Sequence, residues 1–392
     1  WVSCANQADA YGLAVMQDGG AVVAGEFEYS AVFAPGTAEE ATVTALGRYD
    51  MFVARYDDDG KLLWVRTGGG TGRTRSAAVA PMPDGGVAVS GSFAGHATFG
   101  TGETNELVVD SDSGGGIFVA RYREDGSLLW VRGLPAMSTD EGSALLSLAD
   151  GSLVIAGHFG RTVAFDIDVL EPRGDSDAFI VRVDPSGTVV WAIRAGGSGE
   201  DSADALALMP DGALLVAGHF SGSAIFGEGE SEQSLRSAGD ADVFLARYGS
   251  DGGFLGAVQA GGRGFDAAFA VGVDEDGGVA LAGSFEETAI FGADEPMETT
   301  LTAAGDKDLF LARYDPEGRL AWATMAGGPT YDAVRNLAVT SGGDIVVTGS
   351  YGSSAVFGAG EHGEASVESI NDPQFSQEPS MVSDAFLGWF GR

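Results

Sequence analysis

The chain has 392 residues, 57 of them acidic and 21 basic, which gives a formal net charge of −36 at pH 7. A charge of this sign repels nucleic acids and anionic lipid surfaces, which excludes both as partners. Hydrophobic residues are 44% of the chain, too many for a disordered acidic protein, and no apolar run reaches the ~18 residues of a membrane-spanning segment.

The N-terminal sequence bears on where the protein acts. The chain begins with Trp1 rather than Met, so we expect a processed or trimmed product, and any signal segment would lie upstream; a secreted or cell-surface location is what the resemblance described below implies. Cys4 is the single cysteine, which rules out an intrachain disulfide and predicts a small buried thiol. Modification of Cys4 with lipid is disfavoured because Trp1-Val2-Ser3 is a poor lipobox.

The predicted elements are easiest to follow in residues 76–132. Residues 76–81 form a short apolar strand, and Asp84-Gly85 turns the chain into a second strand that ends at Phe93. A polar stretch passes Phe99, residues 117–122 alternate as a half-buried third strand, and residues 127–132 form a fourth. No segment has a sustained 3.6-residue apolar period, so we expect little helix.

The same pattern recurs along the whole chain. A strand ending in small-Gly-x-aromatic appears six times, with glycines spaced 66, 66, 61, 65 and 66 residues apart. The six glycines are Gly25, Gly91, Gly157, Gly218, Gly283 and Gly349. A whole-chain repeat of this period outranks local signals in deciding the fold.

Four antiparallel strands repeated six times predict an all-β fold, a six-bladed β-propeller. We expect one domain over residues 1–392, with blades at approximately 10–66, 76–132, 143–194, 203–258, 267–324 and 333–390 plus 1–3. The sixth blade lacks its fourth strand, and Trp1-Val2 matches Trp64-Val65. The ring is therefore predicted to close by pairing of the N- and C-terminal strands.

Residues 52–56, Asp59-Gly60, Leu63-Trp64 and Gly68-Gly69-Gly70 resemble the bacterial β-propeller repeat of secreted proteins. The same pattern recurs at residues 179–197 and 310–328, and it departs where Gly256 replaces the Trp. The resemblance implies an extracytoplasmic propeller used for adhesion or scaffolding, and it transfers no catalytic residue.

Two enzyme families share part of this signature. The sialidase Asp-box places its Trp three residues after the Gly, whereas the gap here is four, from Gly60 to Trp64. Quinoprotein dehydrogenases have the gap of four but resemble eight-bladed rings, often with paired cysteines against the quinone. The Asp-Gly-x-x-x-Trp spacing is therefore interpreted as a blade-packing device with the indole between neighbouring blades.

Two sets of acids recur at fixed positions. The first precedes or begins the third strand and is interpreted as a turn cap or an Arg partner; it comprises Asp50, Asp177, Asp242, Asp308 and Asp384. The second lies seven residues before the end of the innermost strand, in a loop at one mouth of the predicted channel, and comprises Asp140, Asp201, Asp266 and Asp332. Carboxylates at one channel mouth are either satisfied by loop amides or neutralised by a metal, for which Ca²⁺ is the preferred candidate.

The histidines and the longest loop complete the candidate sites. His158 and His219 share one repeat position, filled by Glu or Ser elsewhere, and two nitrogens alone are weak evidence for a metal. Between Phe357 and Asp384 the sixth unit is about ten residues longer than four of the others. Loops that break a repeat often carry function, so a partner-binding site is predicted at His362, Asn371 and Phe375.

These observations predict a non-enzymatic, extracytoplasmic binding or scaffolding propeller. The expected partner is a protein or a surface glycan, with self-association through the long loop as a further possibility. The alternative is a carbohydrate-active or other hydrolytic propeller with a carboxylate site at the channel mouth. Asymmetry of the channel mouth discriminates the scaffold from the enzyme, because an enzyme requires several polar residues there that break the repeat.

Overall fold

A computed structural model describes residues 8–111, 115–134, 144–166, 168–340, 342–357, 365–368 and 384–390. Among these residues the regular structure is β-strand except for one 3-10 turn at Gly229–Ser231, which confirms the expected scarcity of helix. No helix in this part of the chain is long and apolar enough to cross a membrane. The predicted closing strand 1–3, Cys4, Asp140, His362, Asn371 and Phe375 lie outside the described residues.

The chain forms 33 strands within these ranges. The first sixteen are β1 Ala8–Val15, β2 Ala21–Phe33, β3 Ala41–Tyr56, β4 Leu62–Gly69, β5 Thr74–Pro81, β6 Val87–Phe93, β7 His96–Phe99, β8 Leu107–Asp110, β9 Gly116–Tyr122, β10 Leu128–Leu134, β11 Ala144–Ser147, β12 Leu153–Phe159, β13 Val163–Phe165, β14 Asp168–Leu170, β15 Asp177–Val183 and β16 Val189–Gly197. The remainder are β17 Asp201–Leu208, β18 Leu214–Phe220, β19 Ser223–Phe226, β20 Gln233–Arg236, β21 Asp242–Tyr248, β22 Phe254–Gly262, β23 Ala267–Val273, β24 Val279–Phe285, β25 Thr288–Phe291, β26 Thr299–Thr302, β27 Asp308–Tyr314, β28 Leu320–Gly327, β29 Ala333–Val339, β30 Ile345–Tyr351, β31 Ser354–Phe357, β32 Ala365–Glu368 and β33 Asp384–Phe390.

The strands belong to two compact units. One unit comprises residues 1–172 and 179–193, and the other comprises residues 173–178 and 194–392. The first contains the antiparallel sheets β1-β2-β3-β4 and β5-β6-β9-β10 and the pairs β11-β12 and β13-β14. The second contains β17-β18-β21-β22, β23-β24-β27-β28 and the three strands β29-β30-β33.

With the sheet that contains β11-β12-β15-β16, five sheets include the four consecutive strands that the sequence predicts for a repeat. We number the repeats one to six by their first strands, which are β1, β5, β11, β17, β23 and β29, and call the strands of a repeat first to fourth. In the sixth repeat the described residues form only three strands, and β33 is an edge strand with Leu387 and Trp389 exposed. The sequence of the sixth unit predicts no fourth strand, and the described residues of this sheet contain none.

The predicted polar stretch between the second and third strands forms an additional hairpin. Examples are β7-β8, β19-β20, β25-β26 and β31-β32. Each hairpin pairs with the fourth strand of the preceding repeat, as Gly68 does with Phe99. A Cβ on Gly68 would lie 2.5 Å from the Phe99 ring, so only glycine admits this approach.

The recurrent aromatic residues fill the core. The aromatic that ends each second strand is at most 7% exposed; these residues are Phe27, Phe93, Phe159, Phe220, Phe285 and Tyr351. The indole of Trp64 donates to the carbonyl of Glu124 (2.9 Å), and that of Trp130 donates to the carbonyl of Pro185 (3.0 Å). These contacts confirm that the tryptophans pack against the turn of the following repeat.

Candidate functional site

The aspartates that begin the third strand are buried turn caps. Asp50 accepts the amide of Leu46 (2.8 Å), Asp242 that of Ala238 (3.2 Å) and Asp308 that of Ala304 (2.8 Å). Asp177 accepts the amide of Arg173 in the same way (3.2 Å). All four are at most 1% exposed, so the capping interpretation is confirmed for these residues.

The arginines of the third strand pair with other aspartates. Arg182 lies 2.7 Å from Asp150, and Arg313 hydrogen-bonds Asp274. These partners sit in the turn between the first and second strands, where Asp274 also accepts the amide of Gly278 (2.8 Å). Of the two roles predicted for the third-strand aspartates, capping is the one observed, because the third-strand arginines of the first five repeats pair with turn aspartates instead.

The predicted metal-site aspartates are fixed by backbone amides. Asp201 accepts the amides of Gly197 (2.6 Å) and Ser221 (3.2 Å). Asp266 accepts those of Gly262 (2.7 Å) and Glu286 (3.1 Å). Asp332 accepts those of Gly328 (2.9 Å) and Gly352 (3.1 Å). Each carboxylate joins the end of one fourth strand to the end of the next second strand, a structural role that requires no cation.

Buried aspartates also occur in pairs with a constant separation. Asp242 precedes Asp266 by 24 residues, and the same separation holds for Asp177 with Asp201 and Asp308 with Asp332. Gly261 lies between the members of one pair, because a Cβ there would be 2.7 Å from Asp242 Cγ and 2.9 Å from Asp266 Oδ2. The two carboxylates of a pair are therefore close neighbours inside the protein.

Burial and like charge raise the pKa of these carboxyls. Desolvation is the main cause for Asp266, whose pKa rises to about 7, and the charge of Asp242 adds to the rise. Desolvation likewise raises the pKa of Asp201 and of Asp332 to about 6, with smaller contributions from Asp177 and Asp308. A protonated fraction near neutral pH relieves the repulsion within each pair.

The structure brings three of the predicted metal residues, Asp201, Asp266 and Asp332, each next to its own partner aspartate. Within the described ranges, no group of three or more His, Cys, Asp or Glu side chains is arranged to hold a metal ion. Asp140, the fourth residue of the predicted set, lies outside those ranges. The calcium site at Asp140, Asp201, Asp266 and Asp332 stays a prediction.

The residue immediately before each of these aspartates differs in kind among the described repeats, and all of these residues except Ala241 are at least partly exposed. We call these positions the display positions, and in the second unit they pair by isolated parallel bridges. The pairs are Ser176 with Glu200, Ala241 with Phe265, and Lys307 with Tyr331. In the first unit the matching residues are Tyr49 and Arg73, with Arg73 Cζ 5.4 Å from the Tyr49 ring centroid.

A β-bulge in the first strand adds a second variable position. The register shifts at Tyr11, Ala77, Asp204, Phe269 and Arg335. These five equivalent residues are all at least partly exposed and chemically unlike one another. Bulges re-aim side chains and are frequent beside functional sites.

In two repeats the bulge residue contacts the variable residue of the small-Gly-x-aromatic motif. Tyr11 Oη donates to Glu26 Oε1 (3.0 Å), and Asp204 Oδ2 lies 3.0 Å from His219 Nδ1. Burial lowers the pKa of His219, but the carboxylate of Asp204 outweighs it, so the net shift is upward. The shared position of His158 and His219 thus carries repeat-specific polar contacts.

Three display residues of the second unit, Phe265, Lys307 and Tyr331, form a continuous row with neighbouring polar side chains. The rings of His219 and Phe265 are 5.1 Å apart, and Lys307 Nζ lies 4.6 Å from the Phe265 centroid. The same ammonium is 5.5 Å from the Tyr331 centroid and 3.0 Å from Glu286 Oε1. This row is asymmetric, as a recognition surface requires.

The first unit has its own polar cluster at the equivalent position. Arg73 Nε donates to the buried Glu26 carboxylate (2.7 Å), which Tyr11 also contacts. Arg75 Cζ lies 3.9 Å from the Tyr11 ring centroid. A third arginine, Arg48, places its Cζ 4.9 Å from the Tyr49 ring centroid. Three arginines so close together are unusual in a chain with 57 acidic and 21 basic residues.

Comparison with known proteins gives partial similarity. No protein-family model matches the chain. It is 31% identical over 140 residues to the regulatory protein FlaEY of Caulobacter vibrioides, covering 35% of this chain and 14% of FlaEY. It is 21% identical over 331 residues to the WD repeat-containing protein L264 of Acanthamoeba polyphaga mimivirus, covering 68% of this chain and 23% of L264. The chain thus spans less than a quarter of the length of these relatives.

Solved structures with similar arrangements include proteins of different kinds. A glucose dehydrogenase matches with a TM-score of 0.39 and 14% identity over 86% of this chain and 96% of that chain. The Neurospora crassa Pan2 WD40 domain matches with a TM-score of 0.30 and 12% identity over 87% and 86%. A puromycin hydrolase matches with a TM-score of 0.35 and 15% identity over 88% and 51%.

Proposed function

We propose that the chain is a non-enzymatic six-bladed β-propeller that binds a partner outside the cytoplasm through its display and bulge residues. One observation carries the proposal: the fixed aspartates are each preceded by a residue that differs in kind among the described repeats. A scaffold that repeats while its exposed side chains vary is suited to recognition of a protein or surface glycan. The similarity to a WD repeat-containing protein supports an interaction role.

The proposed ring closes with a strand from the N-terminus. In its support, β33 pairs only with β30 among the described residues, and Leu387 is 73% and Trp389 65% exposed. Phe386 is only partly buried, whereas the equivalent Phe118 and Phe310 are at most 1% exposed. Deletion of residues 1–3 should lower the melting temperature or promote association, and equal melting and equal monomer content would contradict closure.

The recognition proposal is tested with a matched pair of arginine variants. Arg335 is an exposed bulge residue, whereas Arg319 is an exposed residue of the turn before β28 and contacts Asp315 at 3.8 Å. We expect Arg335→Ala to weaken binding to glycan and protein arrays and Arg319→Ala to leave it unchanged. Equal effects would contradict recognition at the bulge positions.

The predicted site at His362, Asn371 and Phe375 is tested separately. Residues 361–380 are replaced by the shorter loop of the second unit, and the same arrays are probed. Loss of binding in this variant alone would place the partner on the long loop. Retained binding would leave the display and bulge residues as the contact surface.

The hydrolytic alternative is favoured by one feature, the Asp204–His219 pair. A carboxylate that orients an imidazole is a common component of acid–base catalysis. Cleavage of 4-nitrophenyl glycosides or acetate by the wild type, lost in His219→Ala, would support an enzyme. Absence of turnover in both would favour binding.

A further inference from the structure

We propose that the row formed by Asp204, His219, Phe265, Glu286, Lys307 and Tyr331 binds an uncharged oligosaccharide. The inference rests on the proposed recognition function, and it specifies the class of ligand that this row of residues binds. The row lies within the second unit, and all six residues belong to the described part of the chain.

The aromatic rings are positioned as platforms. Tyr331 is 55% exposed and Phe265 is partly exposed, and the Lys307 ammonium lies 5.5 Å and 4.6 Å from their ring centroids. An exposed apolar ring with polar neighbours suits a ligand that has flat C–H faces and hydroxyl groups, which a sugar ring combines. Buried packing alone does not account for a tyrosine left this accessible.

The rings are held rigidly by the buried aspartates. Asp266 directly follows Phe265, and its own amide donates to the carbonyl of Ala241 (2.9 Å). Asp332 directly follows Tyr331, and its amide donates to the carbonyl of Lys307 (2.8 Å). Because the backbone on both sides of the platform is fixed, little ordering entropy is lost when a ligand binds.

The polar side chains in the row supply both donors and acceptors. Asp204 accepts the hydroxyl of Ser202 (2.7 Å) and orients His219, while Glu286 accepts the amide of Phe265 (3.3 Å) and contacts Lys307. Carboxylates, an imidazole and an ammonium arranged among rings can bind hydroxyl groups, which both donate and accept. An apolar peptide segment would remove water from these charged groups without offering them a hydrogen bond in return.

Charge selects against ionic ligands. The net charge of −36 opposes an anionic ligand over the whole chain. A cationic ligand would compete with the Lys307 ammonium, which already makes cation–π contacts with both rings. A neutral, hydroxyl-rich ligand avoids both penalties.

The test is native affinity electrophoresis of the full chain in gels containing mannan, mixed-linkage glucan or arabinoxylan, with alginate as the anionic polymer. We expect at least one neutral polysaccharide to retard the wild type, and Tyr331→Ala or Phe265→Ala to weaken that retardation about tenfold. Tyr331→Phe should keep most of the binding because it keeps the ring. Tyr29→Ala is the matched control, since Tyr29 is 61% exposed and lies in the first unit.

The outcomes separate this inference from the broader proposal. Retardation by no neutral polysaccharide, retardation by alginate alone, or equal retardation of wild type and Tyr331→Ala would overturn the oligosaccharide site. If Arg335→Ala still weakens array binding in those cases, recognition by the bulge residues stands without the sugar. Unchanged melting temperatures of Tyr331→Ala and Tyr29→Ala show that the variants are folded.

Discussion

Five arginine–aspartate pairs fasten the third strand to the turn between the first two strands. The pairs are Arg55–Asp18, Arg121–Asp84, Arg182–Asp150, Arg247–Asp211 and Arg313–Asp274. The last is the least accessible, with side chains 11% and 4% exposed. Removing one partner of such a pair leaves the other charge buried and uncompensated.

Asp274→Ala should therefore lower the free energy of unfolding by about 3 kcal/mol. The substitution leaves the Arg313 guanidinium without its carboxylate and removes the acceptor of the Asp276 and Gly278 amides. Glu275→Ala, an exposed acid in the same turn, should change it by less than about 0.5 kcal/mol. Urea unfolding of the two variants checks the difference. Equal losses would show that the ion pair contributes little.

At the scale of the strand, β22 contains two glycines that serve as a matched pair. Gly256 and Gly261 both have φ of 154°, but a Cβ on Gly256 would meet nothing within 4 Å. At Gly261 the same atom would collide with Asp242 and Asp266. Backbone strain is common to both positions, whereas the steric conflict exists only at the second.

Gly261→Ala is expected to lower the free energy of unfolding by about 2 kcal/mol more than Gly256→Ala does, because it forces the aspartate pair apart. Chemical denaturation at constant pH measures both. A difference near zero would mean that the pair moves freely and does not fix the ends of β22 and β23.

Strand patterns in the sequence predicted the repeated sheets but not the additional hairpins. The alternation in residues 117–122 and the turn at Asp84-Gly85 give clear strand and hairpin signals. The hairpin strands β7 and β8 have four residues each, too few for a period to emerge from polar surroundings. Their structure depends on pairing with the preceding repeat, which is a tertiary contact.

The candidate site was only partly predictable for a related reason. Asp201, Asp266 and Asp332 recur, so the sequence identified them, although their amide contacts give them a structural role. Lys307, Phe265 and Tyr331 do not recur in kind, so comparison of the repeats does not reveal them. The 24-residue separation of the aspartates supplies a usable signal, because the residue before each member is displayed.

At the scale of the whole molecule, two groups of aspartates have pKa values that are shifted in opposite directions. Turn aspartates such as Asp84 and Asp274 have a lowered pKa, so their stabilisation is present above the unfolded value of 3.8 and is lost as the pH falls through the lower folded value. Asp201, Asp266 and Asp332 have pKa values raised to about 6 or 7. Their contribution is fully present below 3.8 and is lost as the pH rises through 6 to 7.

We therefore expect the free energy of unfolding to fall between pH 5 and pH 8. General repulsion from the net charge acts in the same direction, so the measurement is repeated at high NaCl concentration, where repulsion between exposed charges is screened. A slope that persists at high salt reports the buried pairs. Stability that rises with pH over this interval would contradict the raised pKa values.

Calcium provides a separate test of the four-aspartate metal site. Because Asp201, Asp266 and Asp332 each accept two backbone amides, we expect CaCl₂ and NaCl of equal ionic strength to raise the melting temperature equally. A larger rise with Ca²⁺ would support the site that includes Asp140. Differential scanning fluorimetry with Mg²⁺ as a third salt distinguishes specific binding from divalent screening.

A buried aspartate stabilises the fold, whereas the residue before it varies, and this difference has an evolutionary consequence. Folding constrains one position tightly and leaves its neighbour almost unconstrained, since Ser, Glu, Ala, Phe, Lys and Tyr all occur there on the same backbone. A substitution at the display position can therefore change the binding chemistry without disturbing the aspartate that stabilises the fold. A lineage that carries this repeat can change its ligand faster than its architecture, and we expect relatives to diverge first at the display positions.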